Sequence, residues 1–328
     1  MLSVLIAHPR LRGPGPHMEI LRAGGFEIRL PPADCDLMQP DVLAATLGDA
    51  ESVIAATEPF TREVIARASR LRVIARSGVG YDAIDVAAAD ERRIAVTITP
   101  GTNEHSVAEH ALAMLLALAR GFPERDQQVR RGGPWKKLPL RRLAGQTLGI
   151  IGLGRIGKAL ATRVWGLGLT LLACEPFPDR KFVAQHRIEL VSFEELLRRS
   201  DLISLHLPLV PETRGLINRA TLALMKPGAI LVNTARGGLI VEEDLCAALG
   251  ERRLAAAGLD VFVEEPMPLD HPLLQLDNVL LSPHVAGLDD ESNRDSQIMV
   301  AQVLVDLAQG RWPAECVVNL RGVSDWKW

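Results

Sequence analysis

At 328 residues the chain exceeds the usual size of one hydrophobic core, which makes two domains the expectation. Its 48% hydrophobic and 23% charged content is an ordinary globular balance, and a net charge of −3 speaks against a polyanionic partner. With aromatics at only 4% there is no stacking platform for single-stranded nucleic acid, so no nucleic-acid partner is expected.

The start, MLSVLIAHPR, is strand-like and has no basic segment leading into a long apolar run, so it does not read as a secretion signal. Up to about Thr99 strands and helices alternate. Strands are predicted at Leu2–Ala7, Phe26–Leu30, Ser52–Ala56, Arg72–Arg76 and Ala95–Thr97, with helices at His17–Ala23, Asp41–Leu47, Thr61–Ala68 and Val86–Arg92. Such alternation specifies a parallel sheet covered by helices. After strand Arg72–Arg76 the chain reads Ser77-Gly78-Val79-Gly80, where the glycines leave N–H groups free to form an anion-binding nest or simply make a βα turn. The loop His8–Arg12 adds positive charge, although loop arginines are commonly just solvated.

Pro100-Gly101 punctuates the chain before a strongly apolar helix, His105–Arg120. A helix apolar nearly all round must be buried, either in its own core or in a subunit interface. Its apolar stretch, Ala108–Ala119, is too short to span a bilayer and is flanked by charge, so no membrane partner is expected. Gly121–Arg142, rich in charge, glycine and proline and carrying Trp135, reads as a loop.

The apolar run Leu148–Leu153 then meets Gly152, Gly154 and Gly157 at G-x-G-x-x-G spacing and opens into a helix, Arg155–Leu167. Gly152 permits the tight turn, Gly154 lets backbone approach a pyrophosphate, and Gly157 lets the helix pack closely on the strand. The fingerprint expects an acid about 20 positions on. The next strand, Leu169–Cys174, ends at Glu175, placed to bind a ribose 2′-hydroxyl. Glycines alone often serve only turns and packing, but strand, triplet, helix, strand and acid in this order make a dinucleotide site.

The rhythm continues with a capping-box form at Ser192–Glu195 that starts a helix to Arg199. Strand Leu202–His206 leads into Leu207-Pro208 and helix Asn218–Met225. Strand Ala229–Asn233, helix Glu243–Leu249 and strands Ala255–Asp260 and Val279–Leu281 follow. Asp289 caps a final helix to Gln309, which can return to the first domain. The expected organisation is α/β, with two doubly wound parallel-sheet domains and a cleft between them. Residues 1–100 with 289–328 would form the substrate domain and residues 101–288 the dinucleotide domain. The cysteines Cys35, Cys174, Cys246 and Cys316 are scattered without metal-type spacing and read as reduced thiols in a cytosolic protein, with no metal site.

Ligands of open α/β sheets bind beyond the carboxyl ends of the strands, so the strand exits are where chemistry is sought. Strand Ala229–Asn233 exits into Thr234-Ala235-Arg236-Gly237, where a guanidinium can grip a carboxylate bidentately or remain a surface charge. Strand Ala255–Asp260 exits towards Glu264-Glu265-Pro266; adjacent glutamates are usually solvated, but Pro266 biases Glu265 towards extended backbone. Strand Val279–Leu281 exits into Ser282-Pro283-His284-Val285-Ala286-Gly287, where His284 is an acid–base candidate or a satisfied loop histidine. Together they suit hydride transfer at a carbinol: Arg236 would hold a carboxylate, His284 would move the hydroxyl proton, and Glu265 would orient His284 and favour its charged form.

The sequence resembles the D-isomer-specific 2-hydroxyacid dehydrogenases over essentially its whole length. The resemblance rests on RSGVGYDAID at Arg76–Asp85, GTNEHSVAEH at Gly101–His110 and TLGIIGLGRIG at Thr147–Gly157. It continues with HLPLVPETRGLIN at His206–Asn218, VNTARGGLI at Val232–Ile240, GLDVFVEEP at Gly258–Pro266 and SPHVAG at Ser282–Gly287. It implies two Rossmann-like domains, one flavodoxin-like and one NAD-binding, and usually a homodimer built through the Gly101–Arg120 segment. Catalytic roles are implied for Arg236, Glu265 and His284, and carboxylate binding for Val79 and Gly80. Cofactor contacts are implied for Arg155, Ile156, Glu175, Leu207, Pro208, Thr234, Ala235, Arg236, Asp260, His284, Ala286 and Gly287.

The resemblance is nearest to the phosphoglycerate or hydroxypyruvate/glyoxylate group and implies a small 2-oxo or 2-hydroxy acid as substrate. Glu175 stands where NAD-using members commonly carry Asp, and Arg180 and Lys181 follow it; the retained charge favours NAD over NADP. Leu288-Asp289 replaces a small hydroxyl residue and can narrow the pocket edge. Two other readings share this fold. Formate dehydrogenase-like members carry glutamine where Glu265 stands, which argues against that reading. A nicotinamide-sensing binding module like the carboxyl-terminal binding proteins resembles the enzymes even in the catalytic trio.

Overall fold

Strands such as Ser52–Ala55 are short apolar runs buried on both faces, the pattern of a parallel sheet sandwiched by helices. The computed structural model describes residues 2–135, 137, 140, 142–323 and 325–328, which divide into two units, Met1–Asn103 with Asp289–Trp328, and Glu104–Leu288.

In the first unit β1 (Leu2–Ile6), β2 (Phe26–Arg29), β3 (Ser52–Ala55), β4 (Val73–Arg76) and β5 (Ala95–Thr97) pair in parallel in the order β2-β1-β3-β4-β5. Side chains start its helices where sequence places them: Thr61 accepts from the Val64 N–H and Asp85 from the Ala88 N–H, each supplying a partner the first turn lacks. Asp289 caps helix Asp290–Ala308 by accepting from the Ser292 N–H at 2.6 Å. That helix buries Val300, Ala301 and Leu304 in one cluster with Val4, Ile6 and Leu21 of the sheet and of helix Pro16–Ala23. Buried His17 ties the two helices, with Nδ1 at 3.0 Å from Gln297 Oε1 and Nε2 at 2.8 Å from the Leu11 carbonyl.

The second unit holds β6 (Thr147–Ile151), β7 (Thr170–Cys174), β8 (Glu189–Leu190), β9 (Leu202–Leu205), β10 (Ala229–Asn233), β11 (Leu254–Leu259) and β12 (Val279–Leu281). All pair in parallel in the order β12-β11-β10-β9-β6-β7-β8, so the winding reverses between β6 and β9, the place where such sheets take ligands. Helix Glu104–Ala119 buries Val107, Ala108, Ala111, Met114, Leu115 and Leu118 within this unit. It lies tight on β11, since a Cβ at Gly258 would meet Met114 at 3.2 Å.

Three elements depart from the sequence reading. Within the expected loop Gly121–Arg142, residues Phe122–Arg131 form a helix. Gly121 is left-handed at φ 60°, Pro123 sits in the first turn, Glu124 follows it, and Arg130 and Arg131 close the last turn, so proline and charge here start and end a helix. Trp135 is exposed, while Lys136, Leu138, Pro139 and Arg141 of that expected loop lie outside the described residues. After β7 a helix Arg180–Gln185, capped by Asp179, and the two-residue β8 add an edge that sequence periodicity does not announce. Among the described residues no helix is long and apolar enough to cross a membrane.

Candidate active site

The turn after β6 is built by backbone crowding. Gly152 takes φ 92°, and a Cβ there would lie 2.3 Å from the His206 carbonyl oxygen; one at Gly157 would lie 2.1 Å from the Gly152 carbonyl oxygen. Only glycine fits either place. Gly154, by contrast, faces open space, and Arg155 beside it starts the following helix, with Ile156 next. At the end of β7 the Glu175 carboxylate turns back on this loop: Oε2 accepts from the Leu153 N–H at 2.9 Å and Oε1 from the Phe177 N–H at 3.0 Å. Nearby Lys158 pairs with Asp179 at 2.8 Å, while Arg180 and Lys181 are exposed.

Across the winding reversal two buried polar atoms have no partner among the described residues, His206 Nδ1 after β9 and Thr234 Oγ1 after β10. Leu207 and Pro208 continue from the first, and Ala235 from the second. Burial pushes the His206 pKa down to about 4, so its ring is neutral at physiological pH. An open approach over Gly154, a helix N-terminus, an anchored acid and orphaned polar atoms along the strand ends all fit a dinucleotide. Among the described residues no three His, Cys, Asp or Glu side chains gather as a metal site requires.

After β10, the buried Asn233 amide donates to the Arg236 carbonyl at 2.8 Å and accepts from the Ala235 N–H at 3.0 Å, clamping the turn. A Cβ at Gly237 would meet the Phe262 carbonyl carbon at 2.0 Å, so the Arg236 loop rests backbone to backbone on the loop that carries Glu265. Arg236 is partly buried, with Nη1 donating to the Ala235 carbonyl at 2.6 Å.

Glu265 Oε1 accepts from the Phe262 N–H at 2.9 Å, and its Oε2 lies 2.7 Å from His284 Nδ1. Burial works against the Glu265 carboxylate, but the hydrogen bonds from His284 and Phe262 and the positive charges of His284 and Arg236 outweigh it, and its pKa lies below the usual range. An ionised carboxylate only accepts, so His284 Nδ1 carries a hydrogen and Nε2 is the nitrogen left for a reacting group. His284 itself has φ 53°, and its N–H donates to the Asp260 carbonyl at 2.8 Å. Fully buried Asp260 also accepts from the Val285 and Ala286 N–H groups at 3.0 and 2.8 Å, and Gly287 follows.

The sequence-derived residues of the second unit thus gather at the exits of β6, β7, β9, β10, β11 and β12. Val79 and Gly80 belong to the first unit, in the exit of β4. There the nest is narrower than expected, because the Gly78 N–H already donates to Thr99 Oγ1 at 2.8 Å. In the same unit burial, with the charges of Arg76, Arg10 and Arg12, pushes the His8 pKa down to about 4, and Arg12 Nη2 donates to the Ala7 carbonyl at 2.9 Å. Sequence reasoning gave no role to His110, Ser282, Glu242 and His271, whose hydrogen bonds lie behind the loops that carry His284 and Glu265.

The family model for D-isomer specific 2-hydroxyacid dehydrogenase, NAD binding domain, matches residues 112–286. A D-3-phosphoglycerate dehydrogenase of Archaeoglobus fulgidus is 38% identical over 98% of this chain, which spans 60% of that protein's length. A glyoxylate reductase of Korarchaeum cryptofilum is 43% identical, with 80% of each chain covered. In structure, D-lactate dehydrogenase from Aquifex aeolicus complexed with NAD and lactic acid superposes with a TM-score of 0.85 at 28% identity, over 96% of this chain and 98% of that one. The chain belongs to the D-isomer-specific 2-hydroxyacid dehydrogenase family, and its second unit is an NAD-binding domain.

Proposed function

We propose that the protein is an NAD-dependent oxidoreductase that interconverts a D-2-hydroxy acid and its 2-oxo acid. The observation that carries this reading is the 2.7 Å pair between His284 Nδ1 and Glu265 Oε2, set beside the Arg236 loop at the carboxyl end of the dinucleotide sheet. NADH, when bound along Gly152–Gly157, Glu175 and Thr234–Ala235, supplies the hydride. In reduction Arg236 holds the substrate carboxylate through its planar fork and polarises the neighbouring carbonyl. His284 in its imidazolium form donates from Nε2 to the developing alkoxide, and the Glu265 carboxylate stabilises that charged form. In oxidation neutral His284 takes the hydroxyl proton. The proposed carboxylate binders of the first unit are the backbone groups of Val79 and Gly80.

Glu265 supports this reading over formate oxidation, which has no substrate oxygen to protonate. The test is NADH oxidation with hydroxypyruvate, glyoxylate, pyruvate, phenylpyruvate and 3-phosphohydroxypyruvate. Turnover of at least one supports the enzyme; NADH binding without turnover of any would favour the nicotinamide-sensing module. We further propose a cytoplasmic homodimer. Leu112, Leu116 and Ala117 on helix Glu104–Ala119 are only partly covered within their own unit, and a second copy would cover them. Light scattering that finds a monomer at micromolar concentration contradicts the dimer.

A further inference from the structure

The His284–Glu265 pair is made by two loops, and behind each loop stands a carboxylate that receives a hydrogen bond ultimately supplied by a histidine. Behind His284, Asp260 Oδ1 accepts from Ser282 Oγ at 2.5 Å. That bond uses the one hydroxyl hydrogen of Ser282, so the oxygen, 2.9 Å from His110 Nε2, must accept from an Nε2–H. His110 therefore feeds Ser282, Ser282 feeds the Asp260 carboxylate, and that carboxylate accepts from the Val285 and Ala286 N–H groups, while the His284 N–H goes to the Asp260 backbone carbonyl. These bonds hold His284 at φ 53°, a left-handed conformation that a residue with a side chain keeps only when its surroundings impose it.

Behind Glu265 the arrangement repeats with different residues. Glu242 Oε1 accepts from the Val263 N–H at 2.8 Å, and Oε2 lies 3.2 Å from His271 Nε2. His271 Nδ1 accepts from the Leu273 N–H at 3.2 Å, so the ring hydrogen sits on Nε2 and points at Glu242. His271 and Glu242 are largely buried, with side chains 18% and 17% exposed.

We propose that His110 and His271 are positioning residues: each orients a carboxylate, directly or through Ser282, that pins one of the two loops whose tips form the catalytic pair. The role rests on the 2-oxo acid reading above. Neither histidine touches the reacting atoms; each acts through the separation of Glu265 and His284. Losing either link loosens the pair, so Glu265 orients and supports the His284 ring less well.

The test compares Ser282→Ala, Ser282→Thr, His110→Leu and His271→Leu with the native enzyme, after thermal unfolding has shown each to be folded. For Ser282→Ala and both leucine variants we expect kcat of reduction to fall by roughly ten-fold with NADH affinity within about two-fold of native. The alkaline limb of reductive kcat/KM should move to lower pH. Ser282→Thr, which keeps the hydroxyl, should restore the native limb. In a Glu265→Gln background the His110→Leu change should shift the limb no further.

An unmoved limb in Ser282→Ala, or a full extra shift in the double variant, overturns the proposal while leaving the reaction class intact. Should the leucine variants not fold, the alanine–threonine pair at Ser282 and Glu242→Gln decide the two arms alone. If the native protein turns over none of the 2-oxo acids, the functional reading fails instead. The proton resonances of the His284 ring, titrated in native and Ser282→Ala protein, then decide the positioning claim without turnover: equal midpoints overturn it.

Discussion

His206 and His284 lie beyond the carboxyl ends of two strands of the same sheet, yet their surroundings suit them to opposite tasks. His206 is half-buried, its Nε2 meets Ser204 Oγ at 2.9 Å, its buried Nδ1 has no partner among the described residues, and burial brings its pKa down to about 4. His284 keeps 40% of its side chain exposed and rests Nδ1 on a carboxylate. Burial without charge compensation keeps a histidine neutral; a carboxylate at 2.7 Å lets one carry a proton in and out. The first is suited to lining a cofactor groove and the second to acid–base work.

The sharpest break in this contrast is His284→Ala, which should lower both directions of the reaction by roughly 10²–10⁴-fold, the usual scale for a general acid–base group. A loss below ten-fold in steady-state kcat/KM would move His284 to the same class as His206. Arg236→Lys is next. It keeps the charge but loses the fork, and about 2–4 kcal/mol of transition-state stabilisation should go with it, read from kcat/KM. Near-native efficiency would make Arg236 an ordinary surface charge.

His206 makes its own prediction, on stability. The unfolded chain takes up a proton at this residue near pH 6.5 while the folded chain resists until about pH 4, so folding free energy is lost as pH falls through that window. The loss amounts to roughly 3 kcal/mol across the window. His206→Gln should remove most of that acid slope in urea unfolding between pH 7 and 4.5, leaving the part contributed by His8. A slope identical to native would show that His206 is not held neutral.

Cofactor choice is a smaller effect. Glu175 is anchored by two N–H groups; if it binds the ribose as proposed, Glu175→Ala should reduce the preference for NADH over NADPH by roughly ten-fold, about 1.4 kcal/mol. Equal efficiency with both cofactors in the native enzyme would contradict the role given to Glu175.

How much of this was legible in the sequence depends on how far apart the interacting residues lie. The glycines of the β6 turn and the cap Asp289 act on residues near them, so spacing reveals them, and the acid ending β7 is found because the fingerprint fixes its distance from the glycines. Strand exits revealed Arg236, Glu265 and His284 because parallel sheets place all such exits on one edge. Helix Phe122–Arg131 was hidden because it buries no residue, and periodicity detects only a buried face. The use of the Gly78 N–H by Thr99, and the meeting of His110 with Ser282, join residues 21 and 172 positions apart. Nothing local encodes such contacts; they follow from which strands and helices end up adjacent.

The central claim is that the Glu265 carboxylate makes His284 the proton carrier, and it is tested most directly by the pH profile of reductive kcat/KM for the native enzyme and Glu265→Gln. Glu265 has a lowered pKa, so it remains charged throughout the neutral range, and in the proposed reaction reduction uses the imidazolium form of His284. Reduction should therefore fall towards alkaline pH. Removing the charge while keeping the shape should move that alkaline limb to lower pH. An alkaline limb at the same pH in both proteins would contradict the account.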